Sequence, residues 1–131
     1  MEKEIKEIKK YLELAENYFT NYRKFFISKQ YTKASEFLWG SVNALANALS
    51  LIKKGERLGT HREMITFLEE IARNDKEMLE EIEKAEKLHI NFYHSLLDEK
   101  RFEEAAYKVE KLVERLKKLV DNDLINIVKS L

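Results

Sequence analysis

The chain contains no cysteine and no proline, and only three glycines in 131 residues. Absence of cysteine removes disulfides, thiolate nucleophiles and thiolate metal sites together, and suits a reducing cytoplasm. Absence of proline, with so little glycine, leaves almost nothing to interrupt a helix. Net charge is missing too: 24 Lys and Arg balance 24 Asp and Glu, so no global field draws the protein to nucleic acid. The longest uncharged run, Phe37 to Ile52, spans 16 residues and contains Ser and Asn; that is short for a membrane span. The start, Met1-Glu2-Lys3-Glu4-Ile5-Lys6-Glu7, alternates charge and lacks the apolar core of a signal peptide. These absences predict one helical domain over residues 1–131, cytoplasmic and without a membrane segment.

What is present is helical periodicity. A first helix over Glu2–Ile27 carries Ile5, Ile8, Leu12, Ala15, Phe19, Tyr22 and Phe26 on one face. A second, from Tyr31 to Lys53, has one stripe of Ala34, Leu38, Ser41, Leu45, Ala48 and Ile52, and another of Trp39, Val42, Ala46 and Leu49. Apolar on two sides, it is expected to be central or to lie at a homodimer interface. Thr60 and Glu63 form a capping box that starts a third helix, ending near Arg73. Asn74 and Glu77 repeat the signal for a fourth, through Met78, Ile82, Ala85, His89, Phe92 and Leu96. A fifth runs from Glu99 to Val120, where Asp121-Asn122-Asp123 is expected to break it before a short C-terminal cap helix. The fold class predicted is all-α: an antiparallel up-down bundle of about five helices. Gln30-Tyr31-Thr32-Lys33-Ala34 echoes Arg101-Phe102-Glu103-Glu104-Ala105, but no intermediate copy supports a helical-repeat array.

Charge is unevenly spread. Asn17 to Arg62 holds eight Lys and Arg against two Asp and Glu, whereas Glu63 to Glu86 holds three against nine. Such a polar molecule could pair head to tail with a second copy, or simply present two solvated faces of opposite sign.

Two histidines stand out. His61 lies 13 residues before Asn74 and His89 lies 15 after it, so an antiparallel third and fourth helix bring them to one level. At 100° per residue, Ile82, Ala85, Phe92 and Tyr93 share the face of His89, with Glu86 at its edge. Asn91 and His94 turn away from it. The up-down topology puts the end of the second helix and the start of the fifth at the histidine level, which brings Lys53, Lys54, Arg57, Arg62 and Arg101 within reach, together with the free amides that begin the third helix. Helix N-termini attract phosphate, so this end is read as an anion site, with candidate residues His61, Arg62, Arg57, His89, Tyr93, Glu86 and Arg101. The same topology puts Trp39 near the opposite end, as a core residue. Each histidine also has an ordinary structural reading, one as a first-turn residue and the other as a hydrogen-bonded core ring. As a pair they could act as acid and base. Metal is not expected, because two histidines and Glu86 have no recognisable ligand spacing. Nor is a bound cofactor expected: the loop with Gly55 and Gly59 lacks the Gly-Lys-Ser/Thr end of a P-loop.

Lys33-Ala34-Ser35-Glu36-Phe37-Leu38-Trp39-Gly40-Ser41, Thr60-His61-Arg62-Glu63 and Leu88-His89-Ile90-Asn91-Phe92-Tyr93 resemble the archaeal PaREP family, placed among HEPN-like helical proteins. The resemblance covers nearly the whole chain. It implies a cytoplasmic, often dimeric helical bundle from an archaeon, and a role in binding a nucleotide or RNA. It also implies partnership with a nucleotidyltransferase-like protein as an alternative. Many HEPN proteins are metal-independent ribonucleases with Arg, four to six residues, then His. Arg57 and His61 have only three residues between them, so the ribonuclease motif is imperfect and a binding module is the main expectation.

Overall fold

The structure, a computed structural model, describes residues 2–94 and 97–131, apart from the side chains of residues 92–94. Five helices follow in order: α1 (Glu2–Ile27), α2 (Tyr31–Lys54), α3 (His61–Ile71), α4 (Lys76–His94) and α5 (Glu99–Ser130). No strand occurs among the described residues. The all-α bundle expected from the periodicity is what forms, and no described helix is long and apolar enough to cross a membrane.

Helix α2 is the hub, packing against α1, α3, α4 and α5. Leu38, Leu45 and Ala48 of its first stripe, and Val42, Ala46 and Leu49 of its second, are all buried within the one chain. Both apolar sides are therefore covered without a second copy. Helix α1 lies close along α2: a Cβ at Gly40 would stand 3.0 Å from the Tyr18 ring.

Three details depart from the sequence-based reading. Helix α5 runs unbroken through Asp121-Asn122-Asp123, so there is no separate cap helix. Asp and Asn are only mildly unfavourable inside a helix, and Asp123 is held by an ion pair to Lys53 at 3.3 Å. The start of α4 is capped by Asp75, not Asn74: the Met78 N–H donates to Asp75 Oδ1 at 3.1 Å. The third departure sets the site. After α2, Ser50 Oγ donates to the Glu56 carbonyl at 2.7 Å, and the Leu58 N–H donates to Asn47 Oδ1 at 2.9 Å. The connecting loop thus doubles back along α2, and Asn47 sits about 10 Å before the end of that helix. As a result α3 starts beside Trp39 and finishes beside Lys54, whose Nζ is 3.6 Å from Glu70. It runs in the same sense as α2, so the bundle is not strictly up-down.

Helix α4 then returns antiparallel to both. Asn91 Nδ2 donates to Ser35 Oγ at 3.0 Å, and α5 packs along α4 and α2. The acidic stretch centred on α4 is answered largely inside the chain. Lys108 meets Glu80 at 2.9 Å, and Arg115 reaches Asp75, Glu77 and the buried Glu81 at 3.7, 3.2 and 2.9 Å.

Candidate ligand-binding site

The α3–α4 hairpin brings the two histidines to one level, as their spacing about Asn74 suggested. Their rings stack, with centroids 4.8 Å apart and planes 16° from parallel. The back-folded loop changes their neighbours. Trp39, expected at the far end, lies against both rings, 5.1 Å from His61 and 4.5 Å from His89. The expectation failed because it placed the start of α3 at the end of α2, whereas the loop carries that start back along the helix. A core role for Trp39 is also only partly right, since its ring is half-buried.

Three rings from three helices therefore form one aromatic cluster. They line a small cavity of about 180 Å³ with Asn43, Leu58, Gly59, Thr60 and Met64. Position and capping explain the local geometry. Thr60 Oγ1 accepts from the Glu63 N–H at 3.1 Å, and Glu63 Oε2 accepts from the Gly59 N–H at 3.0 Å. This double cap fixes where α3 begins and so where the His61 ring stands. It also occupies amide groups that the sequence reading had left free for an anion.

Electrostatics distinguish the two imidazoles. His61 is exposed, and its Nε2 lies 3.4 Å from Glu86 Oε1. His89 is more enclosed. Burial holds its pKa below the ordinary histidine value, and a charge on His61 would lower it further, while Glu86 acts in the opposite direction. His89 is thus disposed to stay neutral at physiological pH, whereas His61 has a carboxylate beside it.

The other candidates are dispersed. Arg57 turns to α1, with Nε 3.7 Å from Glu7 and Tyr11 lining the same depression. It and Arg62 line a separate depression, shared with Lys54, Glu63 and Glu70. Lys53 and Lys54 pair with Asp123 and Glu70 at the far end of α2. Arg101 is exposed on the first turn of α5, whose neighbour Phe102 packs on Tyr31, 4.8 Å between ring centroids. That places Arg101 near the start of α2, about 12 Å along the helix from Trp39. None of these cations lines the ring-walled cavity. The side chains of Tyr93 and His94 lie outside what the structure describes. Asn91, assigned to the outside, is buried: α4 is enclosed by α2 on one side and α5 on another, so its buried arc exceeds a single stripe. Its Oδ1 accepts from the Leu97 N–H at 2.7 Å. Among the described residues no group of three His, Asp or Glu is placed to hold a metal ion.

Sequence reasoning missed Trp39 and Asn43. The available signal was Asn47 and Ser50, two polar residues on a helix with apolar sides. Buried polar groups need partners, and the nearest free backbone was the following loop.

The model of the archaeal PaREP1/PaREP8 family matches residues 5–113. No curated protein and no solved structure gives a significant match.

Proposed function

The chain belongs to the archaeal PaREP1/PaREP8 family, and we propose that it is a binding module for a nucleotide or an unpaired RNA base, held on the rings of Trp39, His61 and His89. The observation that carries this reading is the half-open stack of three rings beside one cavity. Aromatic and imidazole faces bind nucleobases by stacking, worth roughly 1–3 kcal/mol per base. A cavity of about 180 Å³ admits a ring edge and leaves sugar and phosphate outside. The emphasis thus moves from phosphate to base, since the arginines first considered for an anion face elsewhere. A metal-independent ribonuclease gains no support from the geometry, because Arg57 is engaged with Glu7 rather than with His61.

Trp39 is the sole tryptophan, so its emission reports on this site alone. Titration with mononucleotides and short RNA should give a saturable change, and His61→Ala/His89→Ala should abolish it. If neither ligand class moves Trp39 emission up to millimolar concentration at low salt, the reading fails.

A protein-partner role rests on a different observation. The apolar stripe of α5 continues past the end of α2, leaving Val128 and Leu131 63% and 79% exposed. This helix end would join a second copy or a nucleotidyltransferase-like partner. Sedimentation of the purified protein tests the homodimer directly.

A further inference from the structure

We infer that Asn43 sets the base preference of the ring-walled site, by presenting an amide N–H donor that selects a carbonyl edge over an amino edge. The inference rests on the nucleobase-binding reading above. Its basis is a chain of hydrogen bonds whose polarity is forced. The backbone N–H of Leu58 can only donate, and it meets the side-chain amide of Asn47 at 2.9 Å. The Asn47 atom it meets must therefore be the oxygen, which fixes the orientation of that amide.

The other Asn47 atom, Nδ2, then has two hydrogens to place. They go to the Asn43 main-chain carbonyl at 3.0 Å and to Asn43 Oδ1 at 3.2 Å. Asn47 is 6% exposed, so leaving those donors unpaired would be costly. An Asn43 amide turned the other way would set nitrogen against nitrogen. Asn43 is thus locked with its oxygen toward Asn47, one helical turn onward. Its NH2 group is thereby left on the side away from Asn47. Asn43 lines the cavity together with Trp39 and both imidazoles, and among the described residues its Nδ2 meets no hydrogen-bond partner.

A base stacked on these rings would meet that NH2 at its edge. A ring carbonyl, as at position 4 of uracil or position 6 of hypoxanthine, accepts the bond. An exocyclic amino group at the same position, as in cytosine or adenine, sets donor against donor. The preferred ligand class is therefore the oxo-bearing base.

The test compares uridine with cytidine and inosine with adenosine, by Trp39 emission on the intact chain. Wild type should bind the oxo member of each pair about fivefold to tenfold more tightly. Asn43→Asp, which keeps an acceptor for Asn47 and offers only oxygens to the cavity, should reverse the order. Asn43→Leu should bring the members of each pair to equal affinity while binding persists. Asn43 is exposed, so neither new side chain enters the core; Asn43→Leu leaves one Asn47 hydrogen without its acceptor, and circular dichroism checks that both variants fold. Equal affinity for both members in wild type, or an unchanged order in Asn43→Asp, overturns the inference and leaves the binding reading standing. No response to any nucleoside removes the binding reading and the inference with it.

Discussion

At the scale of single residues, His89 and Glu81 are the groups whose environments most constrain the protein. Burial depresses the His89 pKa, so the folded state holds this imidazole neutral while the unfolded chain takes up a proton near pH 6.5. Its contribution to stability is complete above that value and is lost as the pH falls through it toward the lower folded-state pKa. Thermal stability should therefore fall between pH 7 and pH 5, and His89→Gln should show a shallower dependence over the same window. Glu81 is a carboxylate with 2% side-chain exposure, bonded to Arg115 Nε at 2.9 Å. Burial raises its pKa and Arg115 pulls it back. Removing the cation leaves the carboxylate buried without its counter-charge, so Arg115→Ala should cost about 3 kcal/mol. Adding Glu81→Leu to that variant should restore much of the loss, as a double-mutant denaturation cycle would show.

Elements were legible to different depths in the sequence. Helix α1 was read to its ends because its apolar spacing is regular and no polar residue interrupts the stripe. The histidine level was legible because it depends only on the α3–α4 hairpin and the turn at Asn74-Asp75. The neighbours of that hairpin were not, because they depend on the direction of a loop. Asn47 and Ser50 fix that direction, yet along a helix they look like ordinary tolerated polar residues. Asn47→Ala should thus act at a distance. The Leu58 N–H loses its acceptor at a cost of about 1–3 kcal/mol, and Trp39 emission should shift as His61 is released from its position. The α1–α2 turn gives a change of opposite sign. Lys29 has φ +59, a left-handed conformation that penalises a side chain, while the Gln30 N–H bonds back to the Phe25 carbonyl at 2.9 Å to close the turn. Lys29→Gly should stabilise the protein by about 1 kcal/mol, visible as a rise of a few degrees in Tm.

For the molecule as a whole, the two-sided apolar character of α2 suggested an interface, and the structure accounts for it with intrachain packing alone. The uneven charge along the chain has a similar resolution, since Lys108 and Arg115 of α5 meet the carboxylates of α4. Of the exposed large apolar side chains, Ile125, Val128 and Leu131 gather at the end of α5. If that end mediates self-association, Val128→Ser/Leu131→Ser should lower the sedimentation coefficient at micromolar concentration without altering nucleotide titrations, because the ring cluster lies toward the other half of α2. The doubled-back loop has one more consequence, for the order in which the chain acquires its structure. Helices α1 and α2 are joined by a three-residue turn and pack along their lengths, a local hairpin that costs little loop entropy to form. The loop can settle only on a finished α2, because Asn47 and Ser50 must already stand on its surface, and His61 and His89 meet only after that. The ring cluster is thus expected to assemble late and to open early. Native-state hydrogen exchange should find residues 55–70 unprotected well below the free energy of global unfolding, and a bound base should slow exchange there more than anywhere else in the bundle.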